Sequence, residues 1–445
     1  MSTWMQDVDE LSHDPGKPRL SGRVHILGIG NVGCFVAHAL ASRQSPPPIT
    51  LLLHHPGFYE SFCQKKKTIS IEYNGLVDNS TGFDIEVRAN GAWHAAPSLG
   101  NPDDGSEFGA EDLAPADNTD DGHIECLIVC TKANLSRNAI RNVRHRLNSD
   151  STILLLQNGV GVIELLNKEV FPDPQTRPNY MQGIFSHGLM KREQFKILHK
   201  GVGTMIISPT VNDQTPLIQA DKDEHWAPST KYLLRLLTLT PSLIATADTP
   251  AGLLQWQLEK LAVNCIINPL TALSDCKNGD ILYLMSCTRV MRLLLFEISS
   301  VICALPELQG VPGIEARFSP ERLRRQVIDV AAKTGANTSS MAQDMKNRNS
   351  TEIDFMNGWI VRRGEELGIK CVLNYMIQHL VTTKSMIKKR DEAKAIPIEY
   401  GNLLSFKETQ RNEKTPDYSD TPDDVETRKN EDSWGYDSPR NSFER

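Results

Sequence analysis

The chain has 445 residues, more than one ordinary domain accommodates, so two or three domains are expected. Hydrophobic residues make up 40% and charged residues 23%, a balance typical of globular proteins. The net charge of −7 argues against a nucleic-acid partner, because neutralising phosphates requires a basic face.

No stretch approaches the roughly 18 uncharged apolar residues that span a bilayer, so no membrane partner is expected. The most apolar run, from Val290, carries Arg292 and Glu297. The N-terminus reads as neither a secretory signal nor a transit peptide, which implies a cytoplasmic protein, with a mitochondrial location also open. The nine cysteines are scattered, with no C-x-x-C pair and no Cys/His cluster at zinc spacing. Neither a metal site nor a disulfide framework is expected.

In chain order, residues 1–21 read as a disordered tail, and 22–208 as a dinucleotide-binding domain. "VHILGIG" is a strand followed by a helix from about Val32 to Arg43, and "ITLLLHH" is a buried parallel strand. Two antiparallel hairpins are signalled by Asn74-Gly75 and Asn90-Gly91. An acidic insertion covers about 97–121. "ECLIVCTK", the helix "NLSRNAIRNVRHRL" and "TILLLQNG" restore the strand–helix–strand order of a doubly wound sheet. Residues 209–229 read as a linker, 230–398 as an all-helical domain, and 399–445 as a disordered acidic tail. The expected fold class is α/β, a Rossmann-type sheet followed by helices.

Between strand and helix, Gly28, Gly30 and Gly33 form G-x-G-x-x-G, with Asn31 in the same turn. Such a turn either cradles a dinucleotide pyrophosphate at a helix N-terminus or simply joins strand to helix; the strand–turn–helix context favours the cradle. The second strand ends in His54 and His55 with no acid for ribose hydroxyls, followed by Lys65, Lys66 and Lys67. This leans towards NADPH, although a lysine run also reads as a solvated face.

Asn158, Gly159 and Gly161 end another strand, in a turn placed to face the same cleft. Lys260, Asn264 and Asn268 are four apart and line one helical stripe, either a polar surface or a buried polar site.

"KLAVNCIINPLTAL" and "SSMAQDMKNRNSTEIDFMNGWIVRRGEELGI" resemble the ketopantoate reductase (2-dehydropantoate 2-reductase) family. The glycine motif, "CTKA", "QNGVG" and "HKGVGTMIIS" fall in the family's order, and the resemblance spans roughly residues 22–388. It implies reduction of 2-dehydropantoate to (R)-pantoate with NADPH, in pantothenate and coenzyme A synthesis, by a monomer or homodimer. Lys260 then matches the general acid and Glu352 the second essential polar residue. Asn264, Asn268 and Ser340 match substrate-holding positions. Lys132 and Asn158 match residues lining the cofactor. His54 or His55 stands where family members commonly carry an arginine. Ser340 also suits a helix N-cap, and Glu352 an acid in a first turn. Reduction of another 2-oxo acid, or a catalytically silent nucleotide-binding scaffold, are the competing readings.

Overall fold

The computed structural model describes residues 20–96, 122–210 and 226–395. The expected terminal tails, the acidic insertion and most of the expected linker lie outside the described residues. The chain divides into two units, 1–390 and 391–445, and the architecture below belongs to the first.

A nine-stranded sheet forms its N-terminal half. The central strands β1 (Val24–Leu27), β2 (Ile49–Leu53), β7 (Cys126–Val129) and β8 (Thr152–Leu155) are parallel neighbours in the order β8-β7-β1-β2. All four are wholly buried because both faces are covered. Alternate residues split between two cores. Val24, Ile26, Leu51, Ile128 and Leu154 join one with α1 (Asn31–Ala41). Leu27, Leu52, Leu127, Ile153 and Leu155 join the other with α3 (Ala133–Arg141) and α4 (Val162–Glu169). The period-two partition is what a doubly wound sheet requires.

The turns at Asn74-Gly75 and Asn90-Gly91 form with positive φ at all four residues, as type I′ hairpins need. They join β3 (Ile69–Tyr73) to β4 (Leu76–Ser80), and β5 (Asp84–Ala89) to β6 (Ala92–Ala95). β5 also pairs parallel with β2 and extends the main sheet. β3 and β4 instead form a side sheet with β10 (Gly188–Glu193) and β11 (Lys196–Gly201).

The expected helical domain from 230 starts later. α5 (Pro228–Thr238) buries Leu233, Leu234, Leu236 and Leu237 in the sheet's own core. A short strand, β13 (Ala245–Ala247), pairs with β12 (Met205–Pro209), which in turn pairs with β9 (Asn179–Phe185). Residues up to Ala247 therefore belong to the sheet, and the helical half starts with α6 (Pro250–Ser274). It continues through α7 (Met285–Cys303), α8 (Ile314–Arg317), α9 (Pro320–Lys333), α10 (Ser340–Lys346), α11 (Asn357–Glu366) and α12 (Val372–Ala395) around a separate apolar core. No helix among the described residues is long and apolar enough to cross a membrane.

α6 is the spine of this half, yet it contains Pro269. Proline has no N–H, so the carbonyl four residues back loses its helical partner. That carbonyl belongs to Cys265, and it accepts a 3.0 Å hydrogen bond from buried Asn357 Nδ2. The helix thus passes its proline with the backbone satisfied.

Candidate active site

β1 ends at Leu27, and the three glycines that follow serve different ends. Gly28 has φ +97°, and a Cβ there would lie 2.5 Å from the Thr131 nitrogen. A Cβ on Gly33 would lie 2.2 Å from the Gly28 carbonyl oxygen. Both are demanded by packing. Gly30 differs, because a Cβ there would meet nothing within 4 Å. α1 begins at the next residue, Asn31, with no side-chain cap and no acid in its first turn. The loop therefore leaves a smooth opening in front of uncapped N–H groups and a positive helix end, which fits a pyrophosphate.

At the end of β2, the His55 ring accepts the Phe58 N–H at 3.3 Å and caps α2 (Pro56–Gln64). His54 stands exposed beside it, ring centroids 4.5 Å apart, its pKa lowered by burial and by His55. Neither residue is acidic. The lysine run lies elsewhere. It follows the C-terminus of α2, about 13 Å further along the helix. Lys65 there pairs with Glu193 at 2.5 Å, and Lys67 lies over the Tyr59 ring. α2 thus carries these lysines away from the strand end.

The opposite wall comes from α6. Lys260 and Asn264 line one cleft together with Gln157, Asn158, Gly159 and Gln257. The strand-end turn after β8 and the polar stripe of α6 therefore do face each other. Gly159 lets the same turn approach the segment before α11, since a Cβ there would lie 2.6 Å from the Phe355 carbonyl. The Lys260 ammonium donates to the Phe185 carbonyl at the end of β9, at 2.9 Å. Burial lowers its pKa from 10.5 to about 8, and the charge of Glu352 works in the opposite direction. Asn268 lies one turn further along, buried, with Nδ2 3.5 Å from the Met356 sulfur. It is not among the residues lining that cleft.

Glu352 is buried, and its carboxylate accepts the Ala133 N–H at 2.8 Å. It thus caps α3, a helix more than two hundred residues away in sequence, instead of one that it begins. Burial raises its pKa, partly offset by that N–H and by Lys132 and Lys260. Lys132 pairs with Asp344 on α10. Asp344 also has its pKa raised by burial, with Lys132 pulling it down. Two carboxylates and two ammoniums so converge where α3 meets the helical half.

Ser340 is exposed at the first position of α10. The cap of that helix is its neighbour Ser339, whose Oγ accepts the Ala342 N–H at 3.1 Å and sits 2.7 Å from Thr271 Oγ1. The capping expected of Ser340 belongs to Ser339, because the helix begins at Ser340 itself, one residue earlier than that expectation. Asp344, Gln157 and the Phe185 carbonyl were not anticipated. "SSMAQD" held the acid in plain view; a main-chain carbonyl leaves no mark in a sequence.

Two family models match this chain. "Ketopantoate reductase PanE/ApbA" covers residues 24–212, and "Ketopantoate reductase PanE/ApbA C terminal" covers 253–385. The chain belongs to the ketopantoate reductase family. Its relatives include a 2-dehydropantoate 2-reductase of Yersinia pestis, 32% identical over 58% of this chain and 74% of that protein. A probable 2-dehydropantoate 2-reductase of Schizosaccharomyces pombe is 29% identical over 83% of this chain and 97% of its own length. A ketoisovalerate reductase of Beauveria bassiana is 24% identical over 81% and 85%. Among solved structures, D-mandelate dehydrogenase with NADH and anilino(oxo)acetate has a TM-score of 0.60 at 18% identity, covering 82% of this chain and 99% of that one. That likeness is one of fold. The protein is accordingly an oxidoreductase of the 2-dehydropantoate 2-reductase type.

Proposed function

We propose that this protein reduces 2-dehydropantoate to (R)-pantoate with NADPH, Lys260 supplying the proton. The observation that carries this reading is Lys260 itself: an ammonium of lowered pKa, held by the Phe185 carbonyl in the cleft that Asn158 and Asn264 also line.

A nicotinamide dinucleotide, when bound, supplies the hydride that reduces a carbonyl carbon. Its pyrophosphate would lie against Gly30 and the N-terminus of α1, and its ribose near His54. The hydrogen-bonding ring of His54, and the lack of an acid there, support NADPH over NADH.

Negative charge develops on the substrate oxygen during reduction and has to be met by a donor. Lys260 is suited to this because a pKa near 8 makes its ammonium a far better acid than an exposed lysine at neutral pH. The Phe185 carbonyl accepts one of its three protons, so two others are available to a substrate. Glu352, fixed by the Ala133 N–H, favours the charged form of Lys260 through its field. Asn264 offers an amide to the substrate carboxylate or hydroxyl. Lys132, held by Asp344, contributes positive charge at the first domain's edge of the site.

The ketoisovalerate reductase relative favours a second reading, a 2-oxo acid lacking the hydroxyl. The two are separable by chemistry. A site that hydrogen-bonds a substrate hydroxyl strongly rejects the analogue without it, because its polar groups are left unpaired. Initial rates of NADPH and NADH oxidation with 2-dehydropantoate, 2-oxoisovalerate and a panel of other 2-oxo acids test the proposal. The highest kcat/KM is expected for 2-dehydropantoate with NADPH; a higher value for 2-oxoisovalerate would establish the second reading.

A further inference from the structure

Gln157 follows β8 and lines the same cleft as Lys260 and Asn264. One end of the amide is committed: Nε2 donates to Ser136 Oγ at 3.2 Å. Ser136 is itself fully buried. Its hydroxyl gives its proton to the Lys132 carbonyl at 2.9 Å and also lies 2.9 Å from Thr131 Oγ1. With its proton given to Lys132, Ser136 can only accept from Gln157, which orients the amide. The carbonyl end, Oε1, is buried and has no hydrogen-bond partner among the described residues. A buried acceptor left unpaired is costly, so one held in a fixed orientation on a cleft-lining residue is matched to a donor that enters the cleft.

The topology indicates which donor. In a doubly wound sheet the dinucleotide lies across the carboxyl ends of the strands, about the point where the strand order reverses. The β2 end with His54 serves the adenosine half, so the ends of β7 and β8 serve the nicotinamide half. Gln157 follows β8 on that side, whereas the donors proposed for the oxo acid, Lys260 and Asn264, come from α6 across the cleft. The Thr131–Lys132–Ser136 network that fixes the amide belongs to the loop after β7 and the start of α3. We infer that Gln157 Oε1 accepts a hydrogen bond from the carboxamide N–H of the nicotinamide and so fixes which face of the ring is turned to Lys260. This rests on the proposed use of a nicotinamide dinucleotide, and it adds a residue for recognising the ring.

The test compares binding, by quenching of protein fluorescence, of the reduced dinucleotide and of its 3-acetylpyridine analogue, which has an acetyl group in place of the carboxamide and therefore no N–H donor. The wild-type protein is expected to bind the carboxamide form roughly tenfold more tightly. In Gln157→Leu the two forms should bind within about twofold of each other. Gln157→Glu keeps an acceptor at the same reach and should retain the preference, which guards against a misfolded leucine variant. Retention of the full preference in Gln157→Leu would overturn the inference. So would unchanged dinucleotide binding in that variant with a raised KM for the oxo acid alone, because the acceptor would then serve the substrate. Failure of the wild-type protein to bind either dinucleotide would instead overturn the proposed function on which the inference rests.

Discussion

In the proposed reaction, Lys260 sets the chemistry at the scale of single residues. Its ammonium must be protonated to serve as a donor, and burial places its pKa near 8. Reduction should therefore hold a plateau below that pH and fall as pH rises through about 8. Glu352 raises the Lys260 pKa, so Glu352→Gln should move the falling limb to lower pH. A pH–rate profile of kcat for the two proteins checks both points; a limb that stays put, or moves upward, would show that the carboxylate does not act on the lysine. The stripe of Lys260, Asn264 and Asn268 was legible because spacing of four residues puts side chains on one helix face. Which members reach the cleft was not, since that depends on where α6 lies against the strand ends. Asn268 packs on Met356 instead, and the capping serine lies one residue before the expected one.

Among the elements, the turn between β1 and α1 gives a contrast between two alanine substitutions. Gly33→Ala would drive a Cβ into the Gly28 carbonyl, so a lower melting temperature is expected. Gly30→Ala has room in the chain itself and should fold normally, yet it puts a methyl group where the backbone should approach a pyrophosphate. Its melting temperature should match wild type while its dinucleotide dissociation constant rises; normal binding in Gly30→Ala would argue against the cradle. At the start of α11, Asn357→Ala removes the donor that stands in for the missing proline N–H of α6. Leaving the Cys265 carbonyl unpaired should cost about 1–3 kcal/mol in denaturant unfolding, with m unchanged. Strands β1, β2, β7 and β8 could be read from their apolar runs, and the hairpins from Asn-Gly pairs. β13 could not: three residues, Ala-Thr-Ala, become a strand only because β12 lies beside them. The side sheet was hidden for a similar reason, as β3 finds its parallel partner β11 more than a hundred residues later.

At the scale of the whole molecule, the cleft exists only where the sheet and the helical half meet. Specific joints hold the two together. Glu352 caps α3 through the Ala133 N–H, Val160 N–H donates to the Phe355 carbonyl at 3.0 Å, and Lys260 reaches the Phe185 carbonyl. Lys132 pairs with Asp344 across the same seam. Each runs from the helical half to a loop or strand end of the sheet, so the groups proposed for catalysis also hold the halves in register. This explains why the motifs of the two halves could be read separately, whereas their convergence required the fold. It also means that Lys260 and Glu352 should act as a unit, with a double variant little worse than the weaker single one.

The most direct measurement is single-turnover oxidation of bound NADPH by 2-dehydropantoate, in wild type and Lys260→Ala, beside the dissociation constant for NADPH. Loss of the proton donor should slow the chemical step by a factor of about 10² to 10⁴ while NADPH binding stays near the wild-type value, because Lys260 lies on α6, away from the glycine turn. A Lys260→Ala protein that oxidises NADPH at the wild-type rate would contradict the account.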